Sequence, residues 1–455
     1  MVVAVLALAT YLTFSASQWR RLETPSWDLG IFTELAQRYA HLQAPVVDIK
    51  GAGFDLLGDH FHPLLVLLAI PYRIAPSAFT VMAVQDLLFA WSVYVIAREA
   101  VRRFGPVAGS LVGAAYGVSF GIAGAVEVQF HEIAFAVPLL ALSLVALLRR
   151  RWWPAVAWAA PLVFVKEDLG ATVLVIGLLI AWRGYDEGRR TVRLGLGLAV
   201  WGAVWLVVTQ AVILPALNPS GVFAYADRLD WRDLLTHPWL LVTHLVDDPR
   251  KVITLLLLVA VTGLVGLRSP VMLVAVPTIL WRFWSGNYGF WGHTWHYSAV
   301  LMPIAFAALL DGVDLAGRSP RAWLRRYAQV AVAVAVTVAV LVAPQVSFGR
   351  FGQASFWAAN PRAGAARAAL AAVPDGATVE TDVGLMSYLV DHHDTYWFGN
   401  AGNPAADYLV FDSAWGGTPA TPAALTQWAA EHHPGVTYRV TFDAGGYLVA
   451  QRTGS

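Results

Sequence analysis

Five stretches of this chain gather the side chains that acid–base chemistry, anion binding and metal ligation require. The first, residues 19–61, carries Trp27 and Asp28 in SWDLG, then Glu34, Asp48, Asp55, and Asp59 and His60 in GDHFHP, with His62 just beyond it. The second, GAVEVQFHE, supplies Glu127, His131 and Glu132, and the third, FVKEDLG, supplies Lys166, Glu167 and Asp168. The fourth, residues 215–250, contains Tyr225, Asp227, Arg228, Asp230 and His244. The fifth, WRFWSGNYGFWGHTWHYS, contains Arg282, Asn287, Tyr288, His293, His296 and Tyr297. Each stretch borders apolar sequence. Charged groups at membrane depth are costly and tend to mark function.

Each residue type admits two readings. Asp28 opens the amphipathic run LGIFTELAQRYA, where a first-turn acid stabilises a helix start; a partly buried carboxylate also suits a general base. His60 and His62 either are solvated imidazoles before Pro63 or, with Asp59 or Asp28, are ligand types for a divalent cation such as Mg²⁺, Mn²⁺ or Zn²⁺. No strict spacing names the ion. Lys166, Glu167 and Asp168 pair with one another or meet a substrate, and Lys166 would meet a phosphate as a point charge. Arg282 snorkels or clamps a phosphate. His293 and His296 lie one helical turn apart, and with Tyr297 they belong either to a pocket or to an interfacial aromatic belt.

Several chemistries lack support. There is no Cys among the 455 residues, which removes disulfides, thiolate metal sites and Cys nucleophiles. No phosphate-binding Gly-Lys loop, dinucleotide fingerprint or HExxH occurs, and the one GxSxG match, GVSFG at 117–121, lies inside an apolar run and not between a strand and a helix. No extended basic tract exists and the formal net charge is +1, so nucleic acid is not an expected partner.

The elements that must position these residues are membrane spans. The chain is 58% hydrophobic and 13% charged, against about 25% charged for soluble domains. Spans need about 20 apolar residues. The runs at 1–18, 78–98, 107–125, 131–149, 153–166, 169–183, 191–214, 251–267, 270–284, 298–315 and 326–345 predict about eleven. The run at 62–75 is short and reads as a re-entrant or interfacial helix. MVVAVLALATYLTFSAS lacks a basic flank and reads as the first span, not as a signal peptide. Arg clusters at 98–103, 149–151, 183–190, 268 and 318–326 fall on one face if the N-terminus is cytoplasmic, with Arg20 and Arg21 the exception. The five polar stretches then converge on the outer face of a bacterial plasma membrane. The expected division is a transmembrane domain over 1–345 with a long first outer loop (19–61), and a soluble extracytoplasmic α/β domain over 346–455. In that domain, 365–373 and 422–431 read as helices, 377–383 and 406–412 as strands, and 436–452 as a hairpin turning near Gly445 and Gly446.

The segments WDLGIFTELAQRYAHLQAP and LLGDHFHPLLVLLAIPYRIAPSAFTVMAVQDLLFA resemble the DUF2079 family of membrane proteins. The resemblance rests on Asp28-Leu29-Gly30-Ile31-Phe32, Gly58-Asp59-His60-Phe61, Pro63, Pro71-Tyr72 and Gln85. It extends through FHEIAFAVP, VKEDLG, HYSAVLMP and VPDGATVETDVGLMSYL to ADYLVFD, and departs at Thr33-Glu34 and His62. That family is distantly similar to the GT-C glycosyltransferases. The resemblance implies a GT-C-like polytopic fold, a polyprenyl-phosphate-linked sugar donor, and an early acid, here Asp28, acting as base or metal ligand. It implies a glycan, lipid or protein acceptor. Lys166 and Arg282 would meet the lipid phosphate, and Glu127, His131 and Glu132 would hold sugar hydroxyls or orient the base. Two other readings stand beside it: a transporter or flippase of a lipid-linked or small polar solute, and a non-catalytic envelope scaffold.

Overall fold

The computed structural model describes residues 1–222, 236–237 and 239–454; Tyr225, Asp227, Arg228 and Asp230 lie outside them. The chain divides into two compact units: residues 1–12, 57–64 and 85–350 form one, and 13–56, 65–84 and 351–455 the other.

The first unit is helical and apolar. Among the described residues, five helices are long and apolar enough to cross a membrane: Val2–Arg21, Ala78–Gly117, Arg189–Leu217, His296–Gly317 and Ala322–Gln345. This corrects the count of about eleven. Several apolar runs form shorter helices instead, such as Glu132–Leu148, Trp152–Phe164, Leu169–Arg183 and Pro270–Trp284. Some of these open or close in tight 3₁₀ turns, as at Glu132–Ala134, Ala160–Phe164 and Pro270–Ala275. The run at 251–267 is cut short at Ala260, before Gly263 and Leu264, which both take positive φ. The two runs at 78–98 and 107–125 stay separate helices within Ala78–Gly117, divided at Gly105 (φ 81°) ahead of Pro106. Gly109 backs onto the Val101 backbone and Gly113 onto Ala97, so the chain folds back on itself at that break.

Small residues let other helices approach as closely. Helices Leu169–Arg183 and Arg189–Val208 run antiparallel. A Cβ added at Gly177 would strike the Ala199 backbone, and one added at Gly195 the Ala181 backbone. This is the small-residue packing of membrane helices.

In the second unit a five-stranded sheet has the order β2-β1-β3-β5-β4. Its strands are β1 (Thr378–Thr381), β2 (Asp394–Trp397), β3 (Tyr408–Asp412), β4 (Thr437–Ala444) and β5 (Tyr447–Gly454). β1 is parallel to β2 and β3, whereas β5 is antiparallel to β3 and β4. Alternation along β3 sends Val410 into a core with Val379, Leu389 and Val449, and Leu409 and Phe411 into a second core with Leu425 and Ala429. Helices therefore cover both faces. The β4–β5 hairpin turns at Gly445 and Gly446, both at positive φ, as a two-residue primed turn requires. The sequence reading placed this hairpin, β1 and β3, but missed β2.

Helix Trp27–Ala40 belongs to the same unit. The Ser26 side chain caps it by accepting from Leu29 N at 3.1 Å. Glu34 is buried on this helix. Its Oε1 accepts from Asp48 N (2.9 Å) and its Oε2 from Ile49 N (3.2 Å), pinning residues 41–49 against the helix. Burial pushes the Glu34 carboxyl up to about 7, against these hydrogen bonds. Burial likewise pushes Asp382 up to about 7.

Two predictions follow from this packing. Gly177→Val or Gly195→Val overpacks the antiparallel pair, at about 1–3 kcal/mol, and lowers the thermal midpoint in detergent. Gly197→Ala, with nothing near its added Cβ, leaves the midpoint unchanged. A carboxyl raised from 4.5 stabilises the fold below that pH, and its contribution is lost as pH rises through about 7. Thermal melts between about pH 5 and pH 8 should show falling stability, and Glu34→Gln should flatten the slope.

Candidate functional site

Within the first unit, parts of four of the polar stretches meet. Lys166 lies in the turn before helix Leu169–Arg183, and its Nζ donates to Glu132 Oε1 at 2.6 Å. Glu132 opens the 3₁₀ turn Glu132–Ala134. Glu167 is buried and accepts twice from the GDHF loop: His60 Nδ1 lies 2.8 Å from Oε1, and Phe61 N donates to Oε2 at 3.2 Å. That loop is anchored by Asn218, whose Nδ2 donates to Gly58 O at 3.0 Å. His131 and His296 stack with ring centroids 3.5 Å apart, and Tyr297 packs 3.9 Å from His296. Gln85 fixes the approach to His131: it donates to Ala125 O and Gln129 O and accepts from His131 N. Glu132, Lys166, Glu167, Asp168, His60, His131 and His296 form one electrostatic neighbourhood.

Other expected site residues lie apart from these hydrogen bonds. Arg282 is fully buried and donates to Phe290 O (2.8 Å), Gly292 O (2.8 Å), Tyr297 O (3.3 Å) and Ser298 Oγ (3.3 Å). Its guanidinium is thus spent on holding residues 290–298 in place, where the sequence suggested a snorkelling or phosphate-clamping arginine. Glu127 accepts from Ser347 Oγ at 2.6 Å. His293 packs edge-on to Phe120, 6.1 Å between centroids.

A groove of about 1070 Å³ runs along helix Leu169–Arg183 from Asp168 to Trp182, walled by Leu174, Val175, Leu178 and Trp281 among others. At 1.5 Å per residue it is about 20 Å long, and its lining is mostly apolar. At its Asp168 end two polar atoms, Asp168 Oδ1 and Trp281 Nε1, are buried without a hydrogen-bond partner among the described residues. Buried polar groups are normally satisfied, so such orphans call for a ligand or ordered water. No sequence signal marks the groove, because leucine and valine lining a groove read like leucine and valine facing lipid.

Asp28 lies in the second unit, half-buried in the first turn of helix Trp27–Ala40. Trp27 meets Trp397, at the end of β2, edge-to-face at 4.8 Å. Gly30 allows close approach, since a Cβ there would lie 2.5 Å from Met386 Cγ. Thr24 Oγ1 and Ser387 Oγ are 3.2 Å apart. The helix start is thereby seated on the segments that follow β1 and on the end of β2. Of the metal-ligand candidates, Asp28 falls in one unit and Asp59 and His60 in the other. Among the described residues no group of three or more His, Cys, Asp or Glu side chains is placed to hold a metal ion.

The fold is similar to that of ArnT from Cupriavidus metallidurans bound to undecaprenyl phosphate, with a TM-score of 0.54 and 12% identity, covering 98% of this chain and 97% of that one. The apo state of ArnT from the same organism is similar with a TM-score of 0.49 and 12% identity, covering 99% and 97%. At such identity the first likeness is one of fold alone. No curated protein matches the chain. The family model described as "Predicted membrane protein (DUF2079)" matches residues 18–448, and the chain belongs to that family.

Proposed function

We propose that this protein is a membrane glycosyltransferase that moves a sugar from a polyprenyl-phosphate-linked donor to an acceptor on the extracytoplasmic face. The observation that carries the reading is the apolar groove with its orphaned Asp168 and Trp281 atoms. An isoprenoid chain suits the groove's lining, and a polar head group suits its Asp168 end. The ArnT likeness supports the reading at the level of fold, ArnT being the protein seen with undecaprenyl phosphate.

In this reading the acceptor hydroxyl oxygen bonds to the anomeric carbon while the bond from that carbon to the phosphate oxygen breaks. The hydroxyl proton passes to the Asp28 carboxylate. The electron pair of the broken bond leaves on the lipid phosphate. Glu132 and Glu167 position Lys166 and His60, and Asp168, His131, His293, His296 and Tyr297 offer contacts to the head group. Arg282 and Glu127 act through the loops they hold. Trp27 and Trp397 present aromatic surface beside Asp28 on which a sugar ring can stack. A single displacement inverts the anomeric carbon. A groove with polar residues at both ends, Asp168 at one and Arg268 at the other, favours a second reading, transfer of a phosphate-headed lipid between leaflets.

Reconstitution with defined polyprenyl-phosphate sugars separates the two. Wild type should release polyprenyl phosphate, and Asp28→Asn should slow release by about 10²–10⁴-fold with unchanged thermal stability. Unchanged release in Asp28→Asn would remove the base from the account. Lipid movement between leaflets without sugar release would replace the transferase reading.

A further inference from the structure

The far end of the groove opens on a second feature of the same unit. A cavity of about 580 Å³ is lined by Arg150, Trp182, Arg183, Tyr185, Arg268 and Asp311 among others, and it shares Trp182, Arg268 and Pro270 with the groove. Its charges are unevenly committed. Arg183 pairs with Asp311, which also accepts from Ser269 Oγ at 2.5 Å. Arg150 donates to Arg183 O at 2.8 Å and reaches Glu187 only at 3.6 Å. Asp186 sits exposed among the lining residues. Arg268 is exposed and has no ion pair or hydrogen bond among the described residues. Large apolar side chains stand exposed on and around the cavity: Trp182 at 62%, Leu267 at 62% and Leu273 at 54%.

Exposed tryptophan and leucine beside basic side chains at the end of a membrane helix are the surroundings in which lipid head groups are held. The cavity is polar, cationic at Arg268 and Arg150, and continuous with apolar surface. Those three properties match a molecule with an anionic phosphate head and acyl chains.

We propose that this cavity binds the phosphate head group of an anionic glycerophospholipid, at a site separate from the Lys166–Glu132 cluster. Arg268 and Arg150 contact the phosphate, Trp182 and Tyr185 flank the head group, and the acyl chains lie over Leu267 and Leu273. The site concerns how the protein is held in an anionic bilayer and stands whether or not the chain transfers sugar.

The test uses the full chain in nanodiscs of phosphatidylcholine with graded phosphatidylglycerol, read by native mass spectrometry. Wild type should retain phosphatidylglycerol against added inorganic phosphate. Arg268→Gln should weaken retention about fivefold, as expected for one lost arginine contact. Arg325→Gln, outside the cavity, should not. If Arg268→Gln lowers the thermal midpoint, Arg150→Gln gives the same reading. Equal retention in wild type and both cavity variants would overturn the site. Displacement of phosphatidylglycerol by inorganic phosphate would assign the cavity to the free anion and overturn the lipid proposal.

Discussion

The Lys166–Glu132 ion pair, with the His60–Glu167 hydrogen bond beside it, ties together three segments far apart in the chain. In apolar surroundings an ionised side chain must find its opposite, and removing one partner strands the other at a cost of several kcal/mol. This requirement fixes the GDHF loop against the turn before helix Leu169–Arg183, and that turn against the start of Glu132–Leu148. Once those contacts are set, Asp168 falls at the head of the groove with one oxygen unsatisfied among the described residues. The polar end of the groove is thus a by-product of neutralising its neighbours.

The second unit is governed by backbone satisfaction. Glu34 takes two backbone N–H groups of residues 48 and 49, and Asp391 takes Ala78 N and the Tyr72 hydroxyl, each at 3.0 Å. Asn400 donates to Ile49 O at 2.9 Å. Through these bonds, segments from the early part of the chain are built onto the C-terminal sheet. The sheet therefore sets the orientation of the helix on which Asp28 stands, and it contributes Trp397 beside Trp27.

Much of this was legible in the sequence. Asp28 announced a helix start, Gly445-Gly446 a hairpin, and the apolar runs a polytopic chain. The acids and histidines of FHE, KED and DHF were picked out, and these three stretches do come together. What was not legible depended on three-dimensional partners. Arg282 in an aromatic sequence reads as a phosphate ligand until the carbonyls of residues 290–298 are seen around it. Strand β2 was missed because Asp394–Trp397 alternates too briefly to register. The number of long spans was overread, because a window of apolar residues does not reveal where a proline or a tight turn ends the helix. The groove left no trace, since its lining residues are ordinary for a lipid-facing helix.

The central claim is that the groove along helix Leu169–Arg183 holds the isoprenoid chain of a phosphate-linked sugar donor. Native mass spectrometry of the gently purified protein, wild type beside Val175→Trp, tests it most directly. The account predicts a polyprenyl-phosphate lipid retained by wild type and lost when the tryptophan fills the groove. Bulk phospholipid alone, retained equally by both proteins, would contradict it.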